Sequence, residues 1–186
     1  MTFPKIDDHC IDFFAQAWND GLMTFPPGAR VLEIGSAEGD WQRPMLSIRP
    51  DLHIVGIDVR STKHEHHITG DVLTHDFEPT SFDAVVAISS LEHVGLGGYG
   101  DPLDPDGDRH AATRAWTWLK PGGLFYFDVP FGDTYQLHGK WRRYDRDALR
   151  ARLYPEEPCV MVDATELRVT HPDSPYLRVI LRKHEH

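Results

Sequence analysis

Arg30-Val31-Leu32-Glu33-Ile34-Gly35-Ser36-Ala37-Glu38-Gly39 is the stretch whose reading decides the fold. Its first half is a short apolar run with β-branched residues, the pattern of a strand buried on both faces. Its second half carries Gly35 and Gly39, suited to a tight turn or a close backbone approach that a Cβ would obstruct. Pro26-Pro27-Gly28 breaks the chain just before it, and a helix is expected from about Gly39 to Ile48, ended before Pro50. His53-Ile54-Val55-Gly56-Ile57-Asp58 then reads as a second strand, which completes a βαβ unit.

The same alternation continues outward. His67 to Val72 and Phe82 to Ile88 read as strands 3 and 4, Asp108 to Leu119 as a helix, Lys120-Pro121-Gly122-Gly123 as its stop, and Leu124 to Val129 as strand 5. Upstream, Cys10, Phe14 and Trp18 recur at helical spacing within Asp8 to Leu22. Downstream, Cys159 to Val169 and Tyr176 to Leu181 are strand-like and joined by a link too short for a crossover helix, so they predict an antiparallel hairpin. The expected fold is α/β: a Rossmann-like, doubly wound, mostly parallel sheet of about seven strands ending in that hairpin. The links on either side of strand 3 fall short of the roughly twelve residues a parallel crossover needs. One side of the sheet there should be thinly covered, a candidate homodimer surface.

With 186 residues, 40% of them apolar, the chain suits one domain. It divides into residues 1–27 (helix and linker), 28–132 (core) and 133–186 (acceptor-side segment and hairpin). A formal charge of −10 disfavours a nucleic-acid partner, whose phosphates are bound mainly by lysine and arginine. The acidic start of the chain and the lack of any apolar run of membrane-spanning length argue against a signal peptide and a membrane span. Cys10 and Cys159 form no recognisable framework, and a cytoplasmic location is expected.

Ligands of open α/β sheets settle at the carboxyl ends of the strands, near the point where strand order reverses. Here those ends are acidic and glycine-rich. Glu33 stands at the rim of the first turn; Asp58, roughly twenty residues beyond that turn, is where a carboxylate can accept from ribose hydroxyls; Asp71 follows strand 3.

With these landmarks, residues 28–132 resemble the class I S-adenosylmethionine-dependent methyltransferases. Phe82 to Val94 is similar to that family's fourth-strand motif and Leu119 to Leu124 to the turn before its fifth strand, while Leu91 to Gly97 and Tyr99 to Asp108 resemble a subgroup of short methyltransferase-like proteins. Ala37 departs from the pattern, since many relatives carry glycine there. The resemblance implies S-adenosylmethionine as cofactor, with Gly35 and Gly39 on its amino-acid part, Asp58 on its ribose, and Asp71 and Val72 on its adenine. Glu33, Ser36, Val59 and Ser89 complete the expected cofactor set. A nicotinamide-dependent oxidoreductase is the nearest rival, but its pyrophosphate would meet Glu33 and Glu38, whereas a sulfonium is attracted by an acidic rim.

The implied reaction moves a methyl group to a small polar acceptor, neutral or anionic, with oxygen slightly preferred over nitrogen. Alignment of the two reactants alone can supply roughly 7–11 kcal/mol. If a general base exists, His93 is the first candidate, with Tyr99 and Asp101 behind it; the plain alternative for His93 is an imidazole packed against its turn. Glycines 95, 97, 98 and 100 suggest a mobile loop, one that could close over an acceptor. Arg142, Arg143 and Tyr144 are candidate acceptor contacts, while Arg146, Arg150 and Arg152 suit the solvated side of a helix starting at Asp145. No metal is expected: Asp101, Asp104, Asp106 and Asp108 lack the calcium-loop order and read as a turn into a helix capped by Asp106 or Asp108, and His64-Glu65-His66-His67 reads as a solvated loop. The alternative function is a non-catalytic cofactor-binding or assembly module.

Overall fold

A computed structural model describes residue 2, residues 9–167 and residues 175–185. Most of the link expected to join the terminal hairpin lies outside the described residues.

The strands are β1 (Arg30–Ile34), β2 (His53–Asp58), β3 (His67–Thr69), β4 (Phe82–Ile88), β5 (Leu119–Pro130), β6 (Gln136–Leu137), β7 (Arg142–Arg143), β8 (Cys159–Leu167) and β9 (Tyr176–Lys183). The helices are α1 (His9–Asn19), α2 (Gln42–Ile48), α3 (Gly107–Trp118) and α4 (Arg146–Leu153), with a short 3₁₀ turn over Leu91–His93. The seven-stranded sheet runs β3-β2-β1-β4-β5-β9-β8, and β6 and β7 form a separate ribbon that the sequence reading did not anticipate. The first five strands in that order are parallel; β9 is antiparallel to both β5 and β8. Strand order reverses between β1 and β4, which opens a crevice at their carboxyl ends.

Two apolar layers sandwich the sheet. Leu32, Ile34, Val85, Phe125 and Phe127 face Ala111, Ala115, Leu149 and Leu153 of α3 and α4, while Val31, Ala84, Val86 and Tyr126 face Phe14, Trp41 and Met45 on the α1 and α2 side. Alternate residues of β1 and β4 thus serve opposite layers, as the period of a pleated strand dictates.

Among the boundaries that differ from the expectation, three bear on the frame of the crevice. The first strand-to-helix turn extends past Gly39, so α2 starts only at Gln42. Strand 3 stops at Thr69, because Asp71 Oδ1 accepts from Leu73 N (2.8 Å) and folds the chain into a turn. Lys120 to Gly123 does not separate α3 from β5; it is an irregularity within the strand, whose register shifts between the pairs Phe82–Leu119 and Ala84–Leu124. In place of a crossover helix after β3, Phe77 packs edge-on to Phe82 and Trp118. Arg114 secures that loop by donating to the carbonyls of Val72 (2.9 Å) and His75 (2.7 Å). No described helix is long and apolar enough to cross a membrane.

Candidate active site

The crevice is a cleft of about 380 Å³. Of the sequence-derived cofactor set, Glu33, Gly35, Ser36, Asp58, Val59, Asp71, Val72 and Ser89 line it, and so do His93, Tyr99 and Asp101. Gly39, Arg142, Arg143 and Tyr144 are not among its lining residues.

The turn after β1 is built by close approach. Gly35 has φ +76°, and a Cβ there would lie 2.2 Å from Ser90 Oγ. Its N–H donates to the Ile57 carbonyl (2.8 Å), tying the turn to β2. Ala37 is also left-handed (φ 44°), held by its N–H on Asp58 Oδ2 (3.0 Å). Gly39 serves a different neighbour: its Cβ would lie 2.5 Å from the His64 ring, so the glycine makes room for histidine.

Asp58 closes β2 with its side chain almost fully buried. Its Oδ1 accepts from the N–H and Nε of Arg60 (both 2.9 Å), and its Oδ2 from Arg60 Nη2 (2.6 Å) and Ala37 N (3.0 Å). Burial alone would raise this carboxyl, but Arg60 and the two backbone amides outweigh it and hold the acid below its ordinary value. A carboxylate has about four lone-pair sites, so four donors saturate it. Any diol reaching Asp58 therefore exchanges with Arg60, whose guanidinium also lies 4.6 Å from the centre of the Tyr99 ring.

Glu33 behaves differently. Its Oε2 accepts from Gln42 Nε2 (2.7 Å), but burial dominates, with Asp40 and Asp58 adding repulsion, and its pKa rises to about 8. The carboxyl is mostly neutral at pH 7 until a cation lies beside it. On the same cleft wall, the buried indole Nε1 of Trp41 has no hydrogen-bond partner among the described residues.

His93 Nδ1 lies 2.6 Å from the Lys140 carbonyl, which only accepts, so the neutral ring carries its proton on Nδ1 and leaves Nε2 a lone pair. Burial lowers its pKa, favouring that neutral form. Asp101 organises its loop, accepting from the N–H groups of Gly95 (2.8 Å), Gly97 (3.2 Å) and Tyr99 (3.3 Å).

The acceptor assignment of Arg142 and Tyr144 is corrected. Both side chains are fully buried. Arg142 Nη1 donates to the Val94 carbonyl (2.7 Å) and Nη2 to that of Pro105 (3.2 Å), so the guanidinium staples both ends of the loop after β4. Tyr144 Oη donates to Asp108 Oδ2 (2.8 Å). Arg143 sits on the β6–β7 ribbon, against Gly132. Neither Asp106 nor Asp108 caps α3 with its side chain: Asp106 occupies the cap position but its carboxylate pairs with Arg152 instead of an α3 amide, and Asp108 is buried against the same Arg152, which is thereby removed from the solvated helix face. Asp145 does cap α4, accepting from Ala148 N (2.8 Å).

Three relevant groups were missed by the sequence reading: Arg60, Trp41 and Glu92. Arg60 stands two positions after an acid already singled out, and Glu92 adjoins His93. For Trp41 the sequence offers no signal beyond its place after the turn.

Residues 69–150 match a family described as Caenorhabditis protein of unknown function, DUF268. No curated protein matches the chain. Among solved structures, the 1,6-didemethyltoxoflavin-N1-methyltransferase of Burkholderia thailandensis, with 1,6-didemethyltoxoflavin and S-adenosylhomocysteine bound, is similar at 18% identity over 97% of this chain and 92% of that one (TM-score 0.62). The N-methyltransferase NodS of Bradyrhizobium japonicum is 18% identical over 97% of this chain and all of its own (TM-score 0.60). The complex of the Haloferax volcanii Trm112 methyltransferase activator with a putative methyltransferase matches at 14% identity over 97% of this chain and 100% of that one (TM-score 0.64). This chain has the class I methyltransferase fold, as these likenesses and the strand order agree.

Proposed function

We propose that this chain transfers a methyl group from S-adenosylmethionine to a small polar, anionic acceptor, with oxygen ahead of nitrogen as the receiving atom. The observation that carries the reading is the gathering of Glu33, Asp58 and Asp71 around one crevice at the switch point of the sheet. Asp58 and Asp71 offer acceptors to the hydroxyls and base of a nucleoside, and Glu33 ionises against a cation, so the rim suits a cationic nucleoside better than a pyrophosphate.

The residues fit the cofactor on one further count: the unpartnered Trp41 indole N–H is a donor suited to a carboxylate. Glu33, Gly35, Ser36 and Trp41 would hold the amino-acid part; Asp58, released by Arg60, would hold the ribose; Val59, Asp71 and Val72 would hold the base. Bound there, S-adenosylmethionine supplies an electrophilic methyl group on a sulfonium. The chain supplies alignment and exclusion of water, which account for most of what this reaction needs. On the acceptor side, Ser89 and Tyr99 contribute contacts, Asp101 shapes the loop, and His93 offers Nε2 to orient or deprotonate the acceptor. Arg60, once it leaves Asp58, is the cation nearest to an anionic acceptor, a role Arg142 cannot fill.

The reading places the protein in the cytoplasm and keeps a homodimer beside β3 as a proposal that a monomeric mass in light scattering would exclude. Calorimetry with S-adenosylhomocysteine on the wild type and Asp58→Ala tests the cofactor, and product release across a panel of hydroxyl- and carboxylate-bearing metabolites tests turnover. Binding lost in the variant and release with one acceptor class are expected. Tight binding without turnover would leave a cofactor-binding module, and no binding would remove the reading altogether.

A further inference from the structure

We infer that Ser89 and Glu92 form the proton exit of this site: the acceptor gives its proton to Ser89 Oγ, and Ser89 passes its own to Glu92. The inference rests on the methyl-transfer reading and gives the acceptor's proton a route other than His93, the base candidate named from the sequence.

Ser89 follows β4 directly and lines the cleft. Its φ of 43° lies in the left-handed region, which costs an L-residue other than glycine roughly 1–2 kcal/mol. The fold enforces that conformation from behind. Ser89 N–H donates to Asp128 Oδ1 (2.8 Å), and Asp128 is fully buried and held on its other oxygen by Tyr126 Oη (2.9 Å).

The result is a serine hydroxyl aimed at a carboxyl. Ser89 Oγ donates to Glu92 Oε1 (2.8 Å) and lies 3.3 Å from Tyr176 Oη. A hydroxyl has one donor and two lone pairs. The donor serves Glu92 and one lone pair serves Tyr176, which leaves the second lone pair for an O–H or N–H in the cleft.

Glu92 is fully buried, and its Oε2 has no hydrogen-bond partner among the described residues. A glutamine would accept the same bond from Ser89 without a buried acid and its desolvation cost, so a purely structural role does not call for a carboxyl. The groups around it are His93, whose Nε2 lies 3.8 Å from Oε1, and Arg142, whose Nη1 lies 3.4 Å from the Glu92 carbonyl. Tyr144 and Asp108 stand behind Arg142, and Asp128 and Tyr176 stand across Ser89. Burial pushes the Glu92 carboxyl up, Ser89 and Arg142 pull it partly back, and it settles at about 7. An acid so poised exists in both forms at neutral pH, as proton transfer requires.

The balance closes. The acceptor X–H bond breaks as the X–CH₃ bond forms and the S–CH₃ bond breaks, with that electron pair staying on sulfur. One proton ends on Glu92 and returns to solvent after product leaves. Glu92 acts through Ser89 and touches neither reactant.

The test is an infrared titration of the free protein from pH 5 to 9, in which the difference spectrum against Glu92→Gln separates the Glu92 carboxyl from that of Glu33. A protonated-carboxyl signal lost near pH 7, absent in Glu92→Gln and moved upward in Ser89→Gly, is expected; the glycine suits the left-handed backbone and keeps the fold. A Glu92 ionised at pH 5, protonated at pH 9, or unmoved by Ser89→Gly overturns the inference. With whichever acceptor turns over, kcat should fall about 100-fold in both variants, with KM little changed, and lose its rising limb near pH 7, a limb that His93→Gln retains. A limb that leaves with His93 and survives Glu92→Gln also overturns it. If calorimetry finds no binding of S-adenosylhomocysteine, methyl transfer fails as a reading, while a Glu92 titration of the free protein still decides whether Ser89 and Glu92 are coupled.

Discussion

Raising the pH from 6 to 9 should tighten S-adenosylmethionine binding about 50-fold relative to Glu33→Gln, with Glu33 as the cause. Its buried carboxyl has a pKa of about 8, so at pH 6 the free protein carries it neutral and a cation must first drive its proton off. A unit charge about 5 Å away at an effective dielectric of about 20 is worth about 3 kcal/mol, which lowers that pKa by roughly two units on binding. The sign follows: the free protein holds a proton that the complex releases, so affinity rises with pH between the bound and free pKa values and levels off above the latter. The assay is calorimetry at several pH values, in buffers of different ionisation enthalpy, on the wild type and Glu33→Gln. The ligand's own titration is common to both proteins and cancels in their ratio. Near pH 7 the wild type should release close to one proton more than the variant. An affinity ratio that stays constant from pH 6 to 9 would refute the reasoning.

Arg60→Ala removes a half-exposed ion pair that a ribose must displace, so S-adenosylhomocysteine should bind about two- to fivefold more tightly by calorimetry; a tenfold weakening would make Arg60 a cofactor contact instead. Gly35→Ala combines a left-handed alanine with a clash against Ser90 and should cost at least about 2 kcal/mol in urea unfolding, part of it recovered by adding Ser90→Gly. Arg142→Met should cost about 3–5 kcal/mol, since it orphans the Val94 and Pro105 carbonyls and removes a buried partner of Asp108, and limited proteolysis should then cut between residues 95 and 106.

The βαβ frame was legible because β1, β2 and β4 combine β-branched runs with glycine and proline punctuation, signals that act within a few residues. The acids at the strand ends were legible for the same reason, since a strand's end fixes where its next residue lies. Arg142 was misread because a basic residue beside aromatics looks alike on a surface and in a core; only the fold brings Asp108 and the two loop carbonyls to it. The close approach at Gly39 was not legible because His64, the ring that a Cβ there would meet, lies beyond the next strand. Glu92 was passed over because the proximity of Ser89, and a second oxygen that no donor among the described residues reaches, are facts of packing, not of spacing.

A crystal structure with S-adenosylhomocysteine tests the central claim most directly. The account predicts the ribose hydroxyls on Asp58, Arg60 swung away from that carboxylate, and the sulfur between Gly35 and His93. A ligand seated elsewhere, or Arg60 still paired with Asp58 beside it, would contradict it.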